Sequence, residues 1–227
     1  MTNYKDYGVI WDVDGTLLDS GELHFDSWVR LAGDLNKPFT RDDFRATFGR
    51  RNPEIIRSLF GEHYSEQEVA DLGFQKEEYY RAAARSGLSL LPGVRELLAN
   101  LHTAGFKQAI GSSAPRQNIE LLMELTGIES YFEAIVGSED TQRGKPDPQV
   151  FQVAAEKLGL DPDRCLVMED AVAGVEAATA AGMASIAVTF VGHHLDNDLI
   201  IAGAKRVVKS LEDVQVDTIV ELLKIND

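Results

Sequence analysis

Apolar and polar positions follow two patterns along this chain, short apolar runs and longer amphipathic stretches. Residues 7–13 (YGVIWDV) are rich in strand formers and stop at Asp14-Gly15-Thr16, as a buried parallel strand ending in a loop would. Residues 106–111, 134–136, 165–168 and 184–188 repeat that pattern, and the segments between them have helical spacing. Pro92-Gly93 opens one such segment, Val94, Leu97, Leu98 and Leu101 fall on one face, and Gly105 closes it. Asp147-Pro148 reads as an N-cap followed by proline at the first helical position. Phe151, Ala154, Ala155 and Leu158 then form the buried stripe, and Gly159 stops the helix. Repeated strand–helix alternation predicts an α/β fold: a Rossmann-like, doubly wound parallel sheet covered on both faces, binding ligands beyond the carboxyl ends of its strands.

Residues 20–88 break this rhythm. Trp28, Leu31, Ala32 and Leu35, then Ile55, Ile56, Leu59 and Phe60, recur at helical spacing with no strand pattern among them. The expected arrangement is an α-helical domain over 20–88, inserted after the first strand, with 1–19 and 89–227 forming the α/β core. Inserted there, it lies above the mouth of the sheet and can close over a substrate and exclude water.

Composition narrows the partners. Of 227 residues, 44% are hydrophobic and 26% charged, the balance of a globular chain, and no segment reaches the roughly 20 apolar residues of a membrane span. A formal charge of −15 repels nucleic acid and anionic membrane, so neither is an expected partner, and a phosphate-bearing substrate needs a local positive pocket. Residues 1–10 carry no signal-peptide pattern, which makes the cytoplasm the expected compartment; the expected state is a monomer or weak homodimer. Cys165 is the sole cysteine, which excludes an intrachain disulfide, and beside Leu166 and Val167 it reads as a buried, unreactive thiol.

The chemistry concentrates in Trp11-Asp12-Val13-Asp14-Gly15-Thr16, where an apolar strand delivers two carboxylates into a Gly-Thr turn. Alternation in an extended chain points both the same way. One carboxylate can attack phosphorus while the other gives a proton to the leaving oxygen and later takes one from water. Gly15 permits a tight turn whose amides approach phosphate oxygens, and the Thr16 hydroxyl can add a donor. Three more clusters follow candidate strands: Gly111-Ser112-Ser113, Gly144-Lys145-Pro146 and Glu169-Asp170. Taken singly these are a helix cap, a solvated turn and an acidic pair; in order at one rim they form a constellation. A divalent cation would come to Asp12, Asp14, Glu169 and Asp170, while Ser112 and Lys145 are the types that hold a transferring phosphoryl group.

With these motifs the sequence resembles the haloacid dehalogenase superfamily, in its subgroup of sugar-phosphate phosphatases and β-phosphoglucomutases with a helical cap. The resemblance covers essentially the whole chain and includes Gly174 in the helix after the fourth motif. It implies Asp12 as nucleophile, Asp14 as general acid/base, and Ser112 and Lys145 as phosphoryl holders. It also implies Mg2+ held by Asp12, the Asp14 carbonyl and Asp170, with Glu169 in or beside that set. Trp11 stands where phenylalanine is more usual.

The cap is expected to choose the substrate, a small phosphorylated metabolite. Its candidate contacts are His24, Arg50, Arg51, Asn52 and Lys76, with Ser113 on the core side. His24 and Lys76 resemble their counterparts in the mutases. The arginine that grips the mutases' second phosphate falls on Asn52 in an ungapped reading, a departure unless Arg50 or Arg51 substitutes. A Mg2+-dependent sugar-phosphate phosphatase is therefore the expected function, with a phosphomutase as the main alternative. Dehalogenase or phosphonatase chemistry and a receiver-like phospho-acceptor module are further alternatives. Receivers lack a cap and an acid/base beside the nucleophile, and aspartyl-phosphate cation pumps need membrane helices.

Overall fold

The computed structural model describes residues 3–224. In chain order the elements are β1 (Gly8–Trp11), α1 (Gly21–Asp34), α2 (Arg41–Thr47), α3 (Asn52–Phe60), α4 (Glu66–Ala84), α5 (Val94–Ala104) and β2 (Lys107–Gly111). They continue with α6 (Arg116–Thr126), β3 (Ala134–Val136), α7 (Gln149–Leu158), β4 (Cys165–Glu169), α8 (Val172–Ala180), β5 (Ala184–Val188), α9 (Asp196–Ala202), β6 (Arg206–Val208) and α10 (Val216–Leu222).

All six strands are parallel, in the order β3-β2-β1-β4-β5-β6. Successive crossovers leave β1 in opposite directions, so the gap between the ends of β1 and β4 is the point where the winding reverses and a ligand site opens. Strand alternation divides the core. Val9 and Trp11 face one side with Leu97, Leu98, Leu101, Ile110, Leu122 and Met168; Ile10 faces the other with Ala109, Phe151, Ala154, Val167 and Ala177. Helices therefore cover both faces, and burial of these side chains is the main stabilising contribution.

Between β1 and β2, α1–α4 pack around their own cluster, which includes Trp28, Leu31, Phe44, Ile56 and Phe60. Capping boxes start two of these helices, Thr40 with Asp43 and Ser65 with Glu68. Leu18 and Leu90 form an antiparallel bridge at the base of the segment, and Tyr80 of α4 joins the core beneath it.

Three local differences from the sequence reading have physical causes. The first strand ends at Trp11 rather than at residue 13, although Asp12 N still donates to Met168 O at 3.0 Å and keeps Asp12 in line with it. Pro148 precedes α7 as its N-cap instead of opening it; Asp147 still caps, accepting from Gln149 N at 3.1 Å. β6 was not expected: it is an edge strand that opens on the exposed Arg206 and carries only two half-buried valines.

Candidate active site

Asp12 leaves β1 at the reversal point and is 6% exposed. Lys145, carried in by the loop before α7, donates to Asp12 Oδ1 and to Glu169 Oε1, both at 2.6 Å. Glu169 Oε2 in turn accepts from the amides of Asp170 and Ala171, each at 2.7 Å. Both oxygens of Glu169 are thus engaged in orienting the lysine and the turn into α8. Gly174 makes this possible: a Cβ there would sit 1.7 Å from Glu169 Oε1.

Asp170 differs. Its Oδ1 is buried with no hydrogen-bond partner among the described residues, and its Oδ2 lies where a Cβ on Gly15 would come within 2.1 Å. Gly15 also has φ +87°, so backbone conformation and space both require glycine there. Asp12, Glu169 and Asp170 bring ligand oxygens within 4.8 Å of one another, a group that could hold a metal ion. One ammonium cannot neutralise three buried carboxylates. Burial raises the Asp12 carboxyl to about 8, with Glu169 and Asp14 adding to the rise and Lys145 opposing it. Burial, Glu169 and Asp12 push Asp170 well above the carboxylate range. An orphaned oxygen in an under-neutralised acidic group fits a hard divalent cation.

Asp14 points toward the helical segment. Its Oδ1 accepts from Ser20 Oγ at 2.5 Å and lies 3.0 Å from His24 Nε2. Burial opposes ionisation of Asp14, but the hydrogen bonds from His24 and Ser20 and the nearby Lys76 charge outweigh it and hold the carboxyl below the usual range. His24 stacks on Tyr80 with ring centroids 4.0 Å apart, and its Nδ1 is 2.7 Å from Lys76 Nζ. Since an ammonium only donates, Nδ1 is assigned as acceptor and Nε2 as the N–H that reaches Asp14.

Asp12, Asp14, Glu169, Asp170, Ser112 and Ser113 line one cleft with His24, Arg50, Asn52 and Lys76 from the helical segment. The free volume of the cleft is about 60 Å³. Ser112 Oγ accepts from Ala114 N at 3.1 Å, tightening the turn into α6. Three candidates lie outside the lining, among them Lys145, which still reaches Asp12 and Glu169. Arg51 is not part of the lining; its guanidinium donates to Ser138 O and to Thr141, tying α3 to the core. Thr16 is fully buried outside the lining, its Oγ1 without a partner among the described residues.

The sequence reading missed Glu77 and the apolar wall of Trp28, Phe44, Phe48 and Ile55. Glu77 precedes another glutamate on a charged helix, where both read as solvated; only its neighbour Lys76, on the same buried face, hinted otherwise. His193, from the loop after β5, braces this wall with its ring 4.4 Å from Phe48 and 5.7 Å from Phe44.

A parallel sheet with a buried, lysine-bound aspartate at its winding reversal defines a class of α/β enzymes, and comparison with known proteins narrows it. The family model of the haloacid dehalogenase-like hydrolases matches residues 9–188. A phosphorylated carbohydrates phosphatase of Thermotoga maritima is 33% identical over 211 residues, 92% of this chain and 96% of its own. A β-phosphoglucomutase of Bacillus subtilis is 32% identical over 200 residues, 85% of this chain and 88% of its own. The solved structure of a β-phosphoglucomutase from Clostridium difficile shares the fold with a TM-score of 0.87, at 24% identity over 96% of this chain and 97% of that one. This chain belongs to the haloacid dehalogenase-like hydrolase family.

Proposed function

We propose that this protein is a magnesium-dependent phosphatase of a small phosphorylated carbohydrate, acting through an aspartyl-phosphate on Asp12. The observation that carries this reading is the position of Asp12, a buried carboxylate on Lys145 beside the unpartnered Asp170 oxygen, at the floor of a cleft shared by the sheet and the helical segment. The phosphatase relative from Thermotoga maritima supports the substrate class. The helical segment over 20–88 then acts as the cap, with His24, Arg50, Asn52 and Lys76 facing the leaving group.

Asp12 and Asp170 would hold the ion, joined by the Asp14 carbonyl as the family resemblance implies, and Glu169 would anchor Lys145 beside them. When bound, Mg2+ supplies positive charge that lowers repulsion between an anionic nucleophile and an anionic ester. An Asp12 oxygen attacks phosphorus, and the bond to the sugar oxygen breaks as that oxygen takes a proton from Asp14. Asp14 then takes a proton from water, which attacks the aspartyl-phosphate and frees phosphate. Asp14 is anionic in the arrangement described. Its proton for the first half enters with the substrate, bound as the phosphate monoanion, and the His24 N–H holds the carboxyl in place. Lys145 and Ser112 supply donors for the equatorial oxygens.

A mutase is the second reading, favoured by the Bacillus subtilis relative and by the contact of His24 with Asp14 and Lys76. Phosphate release with Mg2+ across sugar monophosphates, run beside an assay for phosphosugar isomer conversion with a bisphosphate primer, separates the two. Asp12→Asn is expected to abolish turnover with the fold intact. Retained turnover in that variant, purified free of host phosphatases, removes the nucleophile assignment.

A further inference from the structure

The wall of the cleft facing Asp12 is built for a different kind of group from its floor. It carries Asn52 from α3 and Lys76 and Glu77 from α4. Lys76 Nζ is 2.7 Å from His24 Nδ1 and 2.9 Å from Glu77 Oε1, which engages two of its three hydrogens and matches its charge with a carboxylate. Glu77 is 4% exposed; its Oε1 also accepts from Asn52 Nδ2 at 2.7 Å, and its Oε2 accepts from Asn118 Nδ2 of α6 at 2.6 Å. Burial opposes its ionisation, but the Lys76 charge and the hydrogen bonds from Lys76 and Asn52 hold its carboxyl below the usual range, so it stays anionic. Arg50, the other cation on this side, lies 3.6 Å from Glu54.

The buried part of the wall therefore offers no unmatched positive charge, and Arg50, with its side chain 43% exposed, is the exposed exception. The wall offers a third lysine hydrogen, an amide carbonyl on Asn52 and a spare lone pair on Glu77, a mixture of donors and acceptors. A hydroxyl both donates and accepts and fits such a mixture; a phosphoryl dianion only accepts and would meet a lysine whose charge Glu77 already cancels. Beside these groups, Trp28, Phe44, Phe48 and Ile55 offer an apolar surface suited to the C–H face of a sugar.

We infer that this wall is a subsite for an uncharged, hydroxyl-bearing part of the substrate, and that Glu77 is the residue that keeps a second phosphoryl group out. The inference rests on the reading of the cleft as a sugar-phosphate site, and it assigns monophosphates of polyols or sugars, not bisphosphates, as the substrate class.

The test measures binding apart from turnover. In an Asp12→Asn background with Mg2+, calorimetry compares ribose 5-phosphate, fructose 1-phosphate and glucose 6-phosphate with ribose 1,5-, fructose 1,6- and glucose 1,6-bisphosphate. At least one monophosphate binds roughly tenfold or more tightly than its bisphosphate, and Glu77→Gln narrows that ratio by about tenfold. Asn52→Arg, which adds a cation without removing the carboxylate, narrows it as well. Bisphosphates binding as tightly as monophosphates throughout, no monophosphate binding at all, or a ratio unmoved in both variants overturns the inference. Selective binding without phosphate release by the unaltered protein would sink the phosphatase reading and leave the subsite standing.

Discussion

Trp11 offers a clean test of how the sheet supports the nucleophile. Its side chain is fully buried directly before Asp12, and its Nε1 donates to Gln108 Oε1 at 3.1 Å across the β1–β2 pair. Trp11→Phe removes the donor and part of the ring. The acceptor left behind is itself buried, 1% exposed, and costs about 1–3 kcal/mol unpaired. The lost ring atoms forfeit roughly 2 kcal/mol of burial and packing. Together these predict a loss of about 3–5 kcal/mol, a fall in Tm on the order of 10 °C for a chain of this size. Gln108→Leu alone strands the indole N–H instead. Placed on Trp11→Phe, the same change removes the orphaned acceptor and recovers about 1–3 kcal/mol. Urea or thermal unfolding of the four proteins measures the coupling. Additive losses in the double variant would refute the claim that this buried hydrogen bond, rather than ring volume alone, sets the cost.

Three further predictions concern the floor of the cleft. Metal-free Asp12, raised to about 8, is roughly nine-tenths protonated at pH 7, so Mg2+ binding should release about one proton, with Asp170 adding to it. The heat of binding should then differ between Tris and HEPES and affinity should weaken as pH falls below 8; a buffer-independent heat contradicts this. The same raised carboxyl makes the metal-free fold lose stability as pH climbs from about 4 through 8, since the folded chain binds that proton more tightly than the unfolded one; thermal melts with and without Mg2+ read that slope. Gly174→Ala must displace Glu169 and release Lys145 together with the turn into α8. Turnover is expected to fall by roughly 100-fold or more with the helical content retained, and activity within twofold of the unaltered protein would show Glu169 to be free to move.

The sheet was legible because its strands are buried on both faces and read as continuous apolar runs ended by turn residues, as at residues 7–13 and 165–168. β6 escaped because Lys205 and Arg206 lead into it and Val207 and Val208 are only half-buried, so it lacks the all-apolar run that marked the equally short β3. Asp12, Ser112, Lys145 and Asp170 stand out in sequence because each follows a strand, and the sheet carries strand ends to one rim. The opposite wall has no such grammar. Whether Arg51 faces the cleft or the core depends on rotation about α3, and whether Glu77 is solvated or buried depends on the pairing of α4 with α6; neither is encoded within one helix period.

The bridge between Leu18 and Leu90 has a consequence for variation. The chain leaves the sheet and returns to it side by side, so the intervening helices enter and leave through one clamped neck. Lengthening or relining such a segment adds little loop-closure entropy, because its ends are already held together. Asp12 lies on the sheet side of that clamp, and new side chains can be tried at residues 20–88 without moving the reacting carboxylate. A scaffold of this shape separates the invention of new specificities from the upkeep of an old chemistry.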